Sequence, residues 1–264
     1  MRLIKKCYIL KYTGERIIPN ENFCGNSTNA YLEHTARYNF AAKFVAGKKI
    51  LDLACGVGYG SKILSDSNAS EIFACDISSE SIDYAQKNYG SNNIKFQVMD
   101  GSNLQFPDAY FDCIVSFETI EHVPEFKTVL NEFHRVLKND GLLIISTPNK
   151  DVTSKGRDKP LNPFHFKEFT VNEFSDLLNN LFDNITLFSQ LLIIPINFKK
   201  KFSRLIFHTL AKLDFLKLHT KILSATTFEK LEDIVNNTNG IFEPIKYKID
   251  QKPIIIIAVC KNKN

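Results

Sequence analysis

The chain has 264 residues, 44% hydrophobic, 23% charged and 12% aromatic, which excludes a disordered, a collagen-like or a coiled-coil chain and supplies a core without a disulfide or metal staple. Its 33 Lys and Arg against 29 Asp and Glu leave +4, too weak an excess to imply nucleic acid by itself. The longest apolar runs, residues 191–196 and 254–260, fall far short of the roughly 20 residues a spanning helix needs, and the first ten residues are broken by Lys5 and Lys6 and too short for a signal-peptide core.

A soluble, cytoplasmic protein is therefore expected. The six cysteines stand singly. Cys75, Cys113 and Cys260 lie in apolar runs and read as buried thiols of a reducing compartment. No Cys-pair or Cys/His spacing suggests a metal site, and none is expected.

In chain order, residues 29–45 predict a helix opened by Ser27 or Thr28. Near-continuous apolar runs follow at 49–54, 71–75, 94–99, 111–117 and 142–146, as in strands covered on both faces. Helical stretches at 59–65, 79–89 and 124–138 separate them. The last carries Phe126, Val129, Leu130, Phe133, Val136 and Leu137 on one stripe, with Asn139-Asp140-Gly141 at its end. Thr170 and Glu173 form a capping box opening a helix to about residue 181. Residues 184–191 and 252–260 read as two late strands around a helical insert.

This alternation predicts an α/β fold: a doubly wound, mostly parallel, seven-stranded sheet, with an N-terminal helical arm and a helical insert before the last strand. It is read as a single domain, 1–264. Residues 1–47 are the arm and first helix, 48–191 the core sheet, 192–251 the insert, and 252–264 the last strand and tail.

The strongest local signal is Ile50-Leu-Asp-Leu-Ala-Cys-Gly-Val-Gly-Tyr-Gly60. A strand ends in a glycine-rich turn that opens a helix, letting backbone approach a ligand closely. The dinucleotide fingerprint would place a glycine where Ser61 stands. Asp52 precedes the turn, where a carboxylate repels a pyrophosphate but favours an ammonium group. That suits a ligand with an amino-acid moiety; the alternative is an acid that caps the turn. Asp76 ends the next strand, 20 residues after Gly56, where an acid accepts both ribose hydroxyls.

Here the sequence resembles the class I S-adenosylmethionine-dependent methyltransferases of the broad small-molecule type, over roughly residues 51–173. The family's strand-turn matches at 50–60. Its "FDxVxxxxxxEHV" segment matches Phe111-Asp-Cys-Ile-Val-Ser-Phe-Glu-Thr-Ile-Glu-His-Val123, and its "RVLxPGGxLxxSTPN" segment matches Arg135 through Asn149. Ala54 replaces a usual glycine, and Asn139-Asp140 replaces Pro-Gly. The resemblance implies S-adenosylmethionine as cofactor, with Asp52, Gly56, Gly58, Asp76, Ile77, Asp100, Gly101 and Phe117 as its contacts. Ile77 would lie against the adenine and Asp100 would accept from its amino group, unless Asp100 is a plain turn acid.

Methyl transfer from a sulfonium is an in-line displacement in which positioning supplies much of the acceleration. A base is needed only for a hydroxyl acceptor. The candidates are His165, favoured slightly, then His122 and Glu118; a solvated loop histidine and an indirect supporting role remain open for the first two. Tyr12-Thr-Gly-Glu-Arg-Ile-Ile-Pro19 resembles an arm found in a subset of the family. It reads as a lid whose Tyr12 and Arg16, with Arg37, hold the acceptor, or else as a strap packed on the sheet.

Residues 199–221 carry seven Lys or Arg against one Asp, interleaved with apolar residues. This is a basic amphipathic helix that reads as a lid or homodimer surface, an attractor of an anionic substrate, or a weak membrane-surface contact. The resemblance of the arm implies a small-molecule acceptor, anionic in one reading, from a surface-polysaccharide pathway. The alternatives are an RNA methyltransferase, disfavoured because no nucleic-acid appendage is visible, and a non-catalytic cofactor-binding scaffold.

Overall fold

Strands that alternate buried residues to both faces need helices on both sides, and the first strands of this chain do so. The structure, a computed structural model, describes residues 26–191, 243–249 and 251–263. In β1 (Lys49–Leu53), Leu51 and Leu53 face one core and Ile50 the other; in β2 (Glu71–Asp76), Phe73 and Cys75 face the first, Ile72 and Ala74 the second. The first core is closed by α4 (Phe126–Val136) and α6 (Val171–Asn179), the second by α1 (Asn26–Ala42), α2 (Tyr59–Asp66) and α3 (Ser79–Tyr89).

With β3 (Ile94–Val98), β4 (Phe111–Phe117), β5 (Leu137–Pro148), β6 (Phe182–Gln190), β7 (Ile245–Lys246) and β8 (Ile255–Asn262), the sheet order is β3-β2-β1-β4-β5-β8-β6-β7. The first five strands are mutually parallel. β8 lies between β5 and β6, antiparallel to both. A short helix, α5 (Lys150–Thr153), follows β5. The strand order reverses between β1 and β4, so their carboxyl ends flank the crevice where such sheets bind ligands.

Among the described residues the sheet has eight strands where the sequence predicts seven. The additional one is β7, two residues paired to β6 within the segment read as helical insert; two residues carry no alternation to detect. Helix α4 ends at Val136 rather than 138, because Leu137 is already extended and pairs with Phe111. Thr170 caps α6 as predicted, with both reciprocal bonds of the box formed. Cys75, Cys113 and Cys260 are buried free thiols, as is Cys55. Burial pushes the thiols of Cys75 and Cys113 up to about 12. No helix among the described residues is long and apolar enough to cross a membrane. The arm at 12–19 and the basic segment at 199–221 lie outside the described residues.

Asp52 joins three elements below the glycine turn. It is fully buried in β1; Tyr38 of α1 donates its hydroxyl to Oδ1 at 3.0 Å, and Ser61 of α2 donates to Oδ2 at 2.6 Å. Ser61 is thus the residue that fastens the start of α2 to the strand. Burial raises the Asp52 carboxyl to about 7 against the lowering effect of the two hydroxyls. The Tyr38 ring also fixes Gly60, where an added Cβ would fall 2.1 Å from ring carbon.

Two expectations follow. Gly60→Ala should destabilise the protein by about 1–3 kcal/mol through overpacking; an unchanged denaturant midpoint would show that α2 can move off Tyr38. Because the folded-state pKa of Asp52 is raised from 3.8 to about 7, its contribution to stability is complete at acid pH and lost as pH rises through that window. The thermal-midpoint difference between wild type and Asp52→Asn, measured without cofactor, should therefore shrink from pH 4 to pH 7.5. Parallel curves would contradict the raised value.

Candidate active site

After β1 the backbone turns through Ala54, Gly56 and Gly58 with φ of 60°, 55° and 88°. Gly58 begins α2, and an added Cβ there would meet Ala85 at 2.7 Å and Phe96 at 2.9 Å. Gly56 is different: an added Cβ would meet nothing within 4 Å, so the turn presents bare backbone to open space. Its amide donates to Asp76 Oδ2 at 2.9 Å, and Ser78 N donates to Asp76 Oδ1 at 2.9 Å. Each carboxylate oxygen has a second lone pair for a ligand. Ile77 beside it is 73% exposed, an unusual position for a large apolar side chain unless something covers it. Asp100 accepts from the Ser102 amide and hydroxyl, both at 2.8 Å, bonds that hold its carboxyl below the ordinary value. Gly101 packs where a Cβ would sit 2.7 Å from Leu53.

A crevice edge with bare backbone, a half-buried acid, an exposed apolar surface and a second acid fits a nucleoside carrying an amino-acid arm. Gly56, Asp76, Ile77 and Asp100 reach that edge together. Asp52 does not: its buried carboxylate is engaged by Tyr38 and Ser61 below the turn, so it faces no ammonium group directly. Phe117 is turned into the core, edge-on to Tyr38 at 5.1 Å. Arg37 is 1% exposed and donates to Gln190 Oε1, with its Nε lacking a partner among the described residues. It is not placed to meet an acceptor. Tyr12 and Arg16 lie outside the described residues.

The other candidates gather beyond β4 and β5. Glu118 sits at the end of β4 with φ 49°. Its amide donates to Ser146 Oγ at 3.2 Å, and that hydroxyl donates back to Glu118 Oε1 at 2.6 Å. Glu121 is fully buried; Thr147 donates to its Oε2 at 3.1 Å, and Oε1 has no hydrogen-bond partner among the described residues. Burial, then the charge of Glu118, holds the Glu121 carboxyl well above the usual carboxylate range. His122 places Nε2 3.9 Å from Glu121 Oε1 and donates Nδ1–H to the Phe164 carbonyl at 3.1 Å.

His165 reaches the same place from the loop after β5, its ring edge-on to His122 at 4.7 Å. Its Nδ1–H donates to Glu168 Oε1 at 2.7 Å, and Asn162 Nδ2 donates to its Nε2 at 2.9 Å. Phe164 N donates to Asn162 Oδ1, which fixes the amide and so the tautomer. Glu168 is buried; hydrogen bonds from Ser154, Thr153 and His165 outweigh burial and keep its carboxyl below the ordinary value. Both nitrogens of His165 are engaged and its side chain is 9% exposed, against 28% for the side chain of His122. Sequence reasoning missed Asn162 and Glu168, three residues either side of His165; in an irregular loop such spacing carries no periodic signal.

Residues 51–145 match a family model described as a methyltransferase domain. A protein of Mycolicibacterium smegmatis named "Probable S-adenosylmethionine-dependent methyltransferase" is 34% identical over 172 residues, covering 64% of this chain and 63% of that protein. A similarly named Mycobacterium tuberculosis protein is 33% identical over 175 residues, covering 64% and 60%. This chain thus spans about three-fifths of the length of those relatives. A Thermotoga maritima structure titled as an S-adenosylmethionine-dependent methyltransferase superposes with a TM-score of 0.59 at 15% identity, covering 92% and 98% of the two chains, a likeness of fold. Over residues 51–145 the chain is thus similar to a methyltransferase domain, over three-fifths of its length it is similar to proteins named as probable S-adenosylmethionine-dependent methyltransferases, and it shares the fold of a solved one.

Proposed function

We propose that this protein transfers the methyl group of S-adenosylmethionine to a small-molecule acceptor. The observation that carries the reading is the open backbone of Gly56 beside Asp76, with Ile77 exposed and Asp100 further along the same edge. Asp76 would take the ribose hydroxyls, Ile77 the adenine face and Asp100 its amino group. When bound, the cofactor supplies a methyl group already activated by the sulfonium charge. The chain's work is then to hold donor and acceptor in line and keep water out. Glu118, His122 and His165 stand on the acceptor side. Four buried thiols suit a reducing cytoplasm.

For the acceptor class, the reading is a sugar- or phosphate-bearing precursor of a surface polysaccharide. It rests on the sequence of the arm and on the basic residues of 199–221, which would draw an anionic substrate.

Calorimetry should detect S-adenosylhomocysteine binding to the wild type, weakened in Asp76→Ala by about 1.5–3 kcal/mol as charge-assisted hydrogen bonds are lost. NADH binding with no affinity for S-adenosylhomocysteine would sink the assignment. A panel of sugar nucleotides and phosphorylated metabolites, scored by release of S-adenosylhomocysteine, tests the acceptor class; turnover confined to RNA would replace it.

A further inference from the structure

The acceptor side holds a buried carboxylate oxygen that nothing among the described residues satisfies. Glu121 Oε1 makes no hydrogen bond among the described residues although its side chain is fully buried, a state that is costly for a buried polar group. It is also the oxygen nearest His122 Nε2, at 3.9 Å. One ligand atom from each of Glu121, His122 and His165 lies within 4.8 Å of the others. Tetrahedral metal–ligand bonds of about 2.0–2.2 Å place donors roughly 3.3–3.6 Å apart, so closure around an ion draws the widest pair together by about an ångström or slightly more.

The hydrogen bonds behind the two imidazoles point the same way. His122 gives Nδ1–H to the Phe164 carbonyl, and His165 gives Nδ1–H to Glu168, itself buried and held by the Thr153 hydroxyl at 2.6 Å. Metal-bound histidines are oriented by this kind of outer partner, a carbonyl or a carboxylate on the far nitrogen. In both rings the nitrogen facing the cluster is then Nε2. Asn162 Nδ2, which donates to His165 Nε2 at 2.9 Å, has to turn aside when an ion enters.

We propose that Glu121, His122 and His165 bind a divalent transition-metal cation, and that the acceptor is a hydroxyl-bearing small molecule whose oxygen completes the coordination. Two imidazoles and one carboxylate suit zinc, manganese or iron(II) better than calcium, and three protein ligands leave positions open for a substrate. The role rests on the methyltransferase reading. Bound to the ion, the acceptor hydroxyl has its pKa lowered and gives its proton to water, so no histidine need act as base. The alkoxide lone pair forms the bond to the methyl carbon, the carbon–sulfur bond breaks, and its electron pair stays on sulfur, leaving a neutral thioether. This accounts for an acceptor side on which His165 has no idle nitrogen. Cysteine spacing, the ground for expecting no metal, has no bearing on a set assembled from two loops.

The test uses the full chain stripped with a chelator and titrated calorimetrically with zinc, and with cobalt(II) for its visible absorption bands. One zinc per chain is expected. Glu121→Gln and His122→Ala should weaken it at least 100-fold and abolish the cobalt bands, and Glu168→Gln should weaken it by roughly 10–100-fold. S-adenosylhomocysteine affinity, staying within threefold of wild type, certifies that each variant is folded. His122→Ala, at a partly exposed side chain, serves if Glu121→Gln fails that check. Wild type that takes up neither metal, or binds both as tightly in His122→Ala, overturns the site while leaving the methyltransferase reading intact. Zinc binding without S-adenosylhomocysteine binding overturns the methyl-transfer role instead.

Discussion

A carboxylate buried below the glycine turn sets the geometry of the cofactor edge. Asp52 has no exposed surface, and its two oxygens are met by Tyr38 and Ser61, one from each helix flanking β1. Burying such a group is costly unless it is satisfied, so the helices are held wherever their hydroxyls can reach it. Fixing α2 in this way fixes the turn that precedes it. Fixing α1 brings Tyr38 against Gly60 and Phe117. What a ligand meets, the bare backbone of Gly56 and the outward side of Asp76, is the upper surface of that arrangement.

Much of this was legible in the sequence because it is periodic or local. The parallel strands read as apolar runs of the right length, and α3 is found at its expected bounds. The capping box at Thr170 is a three-residue rule obeyed in place. Gly56, Asp76 and Asp100 stand at or just past the ends of β1, β2 and β3 in turn, and those strands are neighbours in the sheet, so chain order carries their order along its edge. The direction of a side chain is another matter. Asp52 and Asp76 look alike in sequence, each an acid at a strand end, yet one points into a helix layer and the other outward. Which it is depends on Tyr38 and Ser61, whose hydroxyls become partners only once the helices pack.

The region beyond β4 and β5 is less legible for a related reason. The loop around His165 carries Pro163, Phe164 and Phe166 and is held: Phe166 N and Lys167 N both donate to the Glu121 carbonyl, at 2.6 Å and 3.1 Å. The bonds that hold the loop also occupy the histidine, and a sequence pattern does not separate those two outcomes. Glu121 and His122 follow β4, while His165 and Glu168 follow β5. The two groups meet because β4 and β5 are neighbours in the sheet, a long-range fact that local spacing does not contain.

Backbone strain marks the same crevice. Ala54 and Glu118 are non-glycine residues in left-handed conformations at φ of 60° and 49°, each costing about 1–2 kcal/mol. They stand just beyond β1 and at the end of β4, the strands between which the sheet order reverses. Each is held by bonds it does not make alone. Cys55 N donates to the Cys75 carbonyl at 3.0 Å and Gly56 N to Asp76, which anchors the first turn on β2. Ser146 of β5 both accepts from the Glu118 amide and donates to its carboxylate, which anchors the second. Neighbouring strands therefore stabilise a geometry that neither turn would adopt by itself. The consequence is that both edges of the crevice are set by the sheet: one hangs from β2, the other from β5, and their separation is fixed before any ligand arrives, which is what the proposed in-line transfer between two bound molecules would require.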